Sequence, residues 1–85
     1  MKPDDLKELA GLLRQRLATI GDTELRERDP GRQLALLREV SEAIESFHRR
    51  HREGMPARLN HFLGNCSFDK ALAWTDEALP DGEAD

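Results

Sequence analysis

Apolar residues along this chain recur every three or four positions, a period that predicts helices over most of its length. Leu6, Leu9, Ala10, Leu13, Leu17 and Ile20 fall within one stripe of a helical wheel, with Leu12 outside it. Pro3 suits a helix start, Asp5 followed by Glu8 resembles a capping box, and Gly21 marks the stop. Residues 22–29 hold one apolar side chain, Leu25, among charges; they read as a loop with room for one helical turn.

Asp29-Pro30 then supplies an N-cap and a proline at the first helical position. The helix that follows is the longest, over residues 30–53. Its apolar face is Leu34, Leu37, Val40, Ile44, Phe47 and His51, and Gly54 stops it. Pro56 opens a short helix that ends at Gly64-Asn65. Ser67 caps a last helix with Phe68, Ala71, Leu72, Thr75, Ala78 and Leu79 inward and Trp74 at one edge. The pattern predicts an all-α fold: a small bundle of two long antiparallel helices plus two shorter C-terminal helices. Residues 1–79 form one helical domain, and residues 80–85 an acidic tail expected to be mobile.

Composition supports helices over strands. Tyr is absent, Val and Ile are scarce, and Leu, Ala, Glu and Arg are abundant. A chain of 85 residues buries only about two-thirds of its unfolded surface, which leaves little core for a deep catalytic cleft. A non-enzymatic protein without a cofactor is expected. One cysteine cannot form an internal disulfide, no apolar leader follows Met1-Lys2, and no run approaches the ~18 apolar residues that span a membrane. These features predict a cytoplasmic protein with no membrane partner.

The formal charge of −4 is unevenly placed: residues 1–30 carry −1, residues 31–66 carry +2 and residues 67–85 carry −5. An acidic chain binds nucleic acid poorly, because neutralised phosphates supply most of that affinity.

Residues 47–66 hold all three histidines and the only cysteine, with a run of arginine. A metal site would use His48, His51, His61 and Cys66. His48 and His51 are one turn apart, and Glu45 with His48 makes a Glu-x-x-His pair. The wheel opposes it. His51 lies at the centre of the apolar stripe and His48 on its flank, whereas His61 points about 150° away from Leu59, Phe62 and Leu63. Glu45 falls outside the stripe, and no paired CxxC spacing is present.

Nucleic-acid binding through Arg49, Arg50 and Arg52 is the second reading. Arg50 lies about 100° from Arg49 around the helix, so the three form no single stripe. Cations near a helix C-terminus are favoured by the helix dipole in any case. The favoured reading is a protein-interaction or homodimerising module. Its candidate contact residues are Leu12, Leu36 and Trp74, which lie at or beyond the edges of the apolar stripes, together with the three arginines. The expected partner is another protein or a second copy of the chain.

Overall fold

The computed structural model describes residues 1–79, and the predicted acidic tail at 80–85 lies outside them. Five α-helices follow in order: α1 Pro3–Ile20, α2 Thr23–Arg28, α3 Pro30–His51, α4 Ala57–Gly64 and α5 Phe68–Ala78. A 3₁₀ turn at Arg52–Gly54 links α3 to α4. All regular structure among the described residues is helical.

The helix starts differ in detail from the sequence reading. The cap of α1 is Lys2, with Pro3 at the first helical position. Asp5 is the third helical residue, and its carboxylate accepts from the Lys2 backbone N–H at 3.1 Å. This is the return half of the box expected one turn later. Ser67 occupies the cap position of α5, but its hydroxyl makes no capping bond.

The segment 22–29 is also more ordered than a loop. Asp22 accepts from the Leu25 N–H at 3.0 Å and starts α2. Asp29 ends α2, and its carboxylate accepts from the Arg32 N–H at 3.0 Å to start α3. One aspartate thus serves both helices. Each such cap satisfies an orphan donor and is worth about 1 kcal/mol.

Phe47 is completely buried at the centre of the main core, surrounded by Leu9 and Leu13 of α1, Ile44 of α3 and Leu59 of α4. Burying a phenylalanine side chain contributes roughly 1.5–3 kcal/mol. A second, smaller cluster joins Leu6 and Ala10 of α1 to Leu79 after α5. Two polar links hold the long helices to each other. Gln33, buried near the start of α3, donates to the Thr19 carbonyl at the end of α1 at 3.0 Å. Arg50 near the end of α3 donates to Glu8 in the early turns of α1 at 3.2 Å. Helix α5 packs along α1, where Arg14 pairs with Asp76. Helix α4 is tied to α3 by His48 and Asn60. No helix among the described residues is long and apolar enough to cross a membrane.

Candidate functional site

The corner between α4 and α5 is built from a strained residue. Cys66 has φ 56°, the only non-glycine residue with positive φ among those described. Its N–H donates to the Leu63 carbonyl at 3.2 Å, and the Ser67 N–H donates to the Phe62 carbonyl at 2.8 Å. Those two bonds define a Schellman motif, which usually places glycine where Cys66 stands. Gly64 and Asn65, which the sequence suggests as the stop, are the last helical residue and the cap. The Cys66 side chain is exposed.

Two shallow hollows flank this corner. One, of about 260 Å³, is lined by Ile44, Glu45, His48, Leu63, Cys66 and Phe68, among others. The second, of about 310 Å³, is lined by Arg16, Cys66, Phe68 and Lys70, with Asp69 also on its wall. The Arg16 guanidinium lies 4.6 Å from the Phe68 ring centroid, a cation–π contact. Its Nε is buried without a hydrogen-bond partner.

The predicted ligand set does not gather. His48 is half-buried and donates from Nε2 to Asn60 Oδ1, so its ring fastens α3 to α4. His51, on the apolar stripe at the end of α3, is half-buried, with its ring 4.2 Å from that of Phe47 and tilted by 32°. His61 faces solvent, where Asn65 Nδ2 lies 3.2 Å from its ring. His48 and Cys66 share a hollow, while His51 and His61 do not line it. No three His, Cys, Asp or Glu side chains among the described residues come together as a metal-binding group.

The predicted contact residues also separate. Leu12 and Trp74 are half-buried against the core, and Leu36 is half-buried on α3. Arg49, Arg50 and Arg52 are exposed. Arg50 is committed to Glu8, and its guanidinium lies 5.9 Å from the Phe47 ring centroid.

The apolar side chains that do face solvent are others: Leu34 at 67% exposure, Leu17 at 41% and Ile20 at 38%. Leu17 and Ile20 belong to the last turns of α1, and Leu34 to the first turns of α3. The Gln33–Thr19 bond holds these turns together. Leu25 of α2 and Leu37 of α3 are half-buried nearby in sequence. Sequence reasoning assigned Leu17, Ile20 and Leu34 to the core stripes. Helix length was the available corrective: α4 and α5 have 8 and 11 residues against 18 and 22 in α1 and α3. At ~1.5 Å per residue neither short helix can cover the whole long pair.

No protein-family model, curated protein or solved structure matches the chain.

Proposed function

We propose that this chain is a non-enzymatic helical interaction module. In this reading α1 and α3 form an antiparallel pair, α4 and α5 close one side at one end, and the other end is the docking surface. The observation that carries the reading is the exposure of Leu17, Ile20 and Leu34, at 41%, 38% and 67%, in the last turns of α1 and the first turns of α3, which the Gln33–Thr19 bond holds together. A single exposed leucine is ordinary, and three exposed apolar side chains at one end of so small a bundle offer a partner apolar area to bury. The two hollows beside Cys66 are shallower candidates with no gathered ligand set.

The test is affinity capture from the source cell with the folded protein and with its Leu34→Glu variant. Partners retained by the first and lost by the second are identified by mass spectrometry and their binding is re-measured with purified components. Equal retention by both proteins argues against this surface.

Nucleic-acid binding at Arg49, Arg50 and Arg52 is the second reading, supported by the exposure of all three at the end of α3. It is tested by fluorescence anisotropy with mixed-sequence DNA and RNA across a salt series. Binding that strengthens as salt falls, and weakens on Arg49→Ala with Arg52→Ala, supports it.

A further inference from the structure

Helix α2 is held far less firmly than the other four. It has six residues, and none of them is buried. Leu25 is half-buried, while Thr23, Glu24, Arg26, Glu27 and Arg28 face water. The helix packs on α3. The Arg28–Glu24 ion pair at 3.2 Å lies within α2 and is exposed on both sides, so it fastens α2 to no other element. Isolated helices shorter than about 12 residues are marginal in water, so α2 depends on its anchors. These are the Asp22 carboxylate, which accepts from the Leu25 N–H at 3.0 Å, and the half-burial of the Leu25 side chain.

The elements on either side are held without it. The Gly21 N–H donates to the Leu17 carbonyl at 2.9 Å and closes α1. The Asp29 carboxylate accepts from the Arg32 N–H at 3.0 Å and starts α3. Gln33 Nε2 donates to the Thr19 carbonyl at 3.0 Å and fastens the start of α3 to the end of α1. Residues 23–28 take part in none of these bonds. The main core around Phe47, Leu9, Leu13, Ile44 and Leu59 contains no α2 residue either.

We propose that α2 is a strap that opens and recloses on its own while α1, α3, α4 and α5 stay packed. Gly21-Asp22 and Arg28-Asp29, all exposed, are the junctions where the chain turns. The magnitudes fit a minor open form. The Asp22 cap favours closure by about 5-fold and the half-burial of Leu25 by about as much. Their product leaves α2 open in about 1–10% of molecules. Opening puts Leu25 and the part of α3 beneath α2 into water. The apolar area exposed at this end is therefore set by an equilibrium within the chain, whether or not a partner docks there.

Amide hydrogen exchange of the full chain, followed by NMR, tests the strap. The Leu25, Arg26 and Asp29 amides, bonded to Asp22 Oδ1, the Asp22 carbonyl and the Leu25 carbonyl, report on α2. Their expected protection is about 10–100-fold, with the Phe47 amide protected at least about 100-fold more. Two variants separate local from global opening. Asp22→Ala weakens the closed strap and speeds the α2 amides by about 5-fold. Ile44→Val loosens the core that the open and closed forms share. It speeds the Phe47 amide by about 5-fold and leaves the α2 amides unchanged. If the α2 amides are as protected as Phe47, or speed up with it in Ile44→Val, α2 opens only when the whole chain unfolds and the proposal is overturned. A complete lack of protection at Arg26 and Asp29 overturns it too, since no closed strap then exists.

Discussion

Replacing Cys66 with glycine is expected to stabilise the protein. Cys66 sits at φ 56° because the Schellman bonds from Cys66 N to Leu63 O and from Ser67 N to Phe62 O require a left-handed residue there. A side chain in that conformation costs about 1–2 kcal/mol, since Cβ crowds the following carbonyl. Glycine removes the crowding but adds unfolded-state freedom worth about 0.5–1 kcal/mol. The Cys66 side chain is exposed, so its loss sacrifices little burial. The net gain is about 0.5–1 kcal/mol, or roughly 2–8 °C in Tm for a domain this size. Urea unfolding of the reduced protein measures it as a rise in midpoint at constant slope. Cys66→Ala separates the backbone from the thiol: it keeps Cβ, and its stability should stay within about 0.5 kcal/mol of the wild type. Cys66→Val, β-branched and therefore more crowded at positive φ, should destabilise by about 1 kcal/mol or more. If Cys66→Gly proves no more stable than Cys66→Ala, the left-handed conformation carries no penalty here and the reasoning fails.

Three further outcomes test the framework of the fold. Gly11 is exposed in the middle of α1 with no heavy atom within 4 Å of an added Cβ, so Gly11→Ala should raise the unfolding midpoint by about 0.5–1 kcal/mol equivalent. Phe47→Ala empties the centre of the core and should cost about 3–5 kcal/mol, read as a collapsed thermal transition or an unfolded far-UV spectrum. Asp29→Ala removes the acceptor for the Arg32 N–H and should cost about 1 kcal/mol by chemical denaturation, with Asp29→Asn losing clearly less.

Helix placement was legible because apolar periodicity and caps are local properties. The stripe from Leu6 to Leu13, the Asp29-Pro30 start and the Ile44–Phe47 core face need only neighbouring residues to be recognised. Helix α2 was not legible in the same way. It has one apolar residue, so no period exists, and it is held by the Asp22 cap and the exposed Glu24–Arg28 pair at 3.2 Å. The histidines divide similarly. The wheel placed His61 in solvent and His48 on a flank, but it could not show that Asn60 would take His48 as a tether, because that bond crosses two helices. The wheel did put His51 one turn after Phe47 on the same face, where its ring leans on that of Phe47 at the half-exposed rim of the core.

The same limit explains why the most exposed apolar side chains are ones the wheel assigned to the core. A wheel states which face of a helix requires a cover, and says nothing about where along the axis the cover ends. Leu12 and Trp74 lie off their stripes yet find neighbours, since each sits within the length that α4 and α5 span. Leu17 and Ile20 lie on the stripe yet remain exposed at 41% and 38%, since they fall beyond it. Exposure in a small bundle is thus set by two coordinates, the angle around the helix and the position along it. For this chain the second coordinate is the more informative, because a helix of 22 residues rises about 33 Å while one of 11 rises about half as far. An apolar stripe that outruns its intramolecular cover has to be covered by something else or left wet. That excess length, more than any cluster of histidine, cysteine or arginine, is what the proposed docking surface rests on.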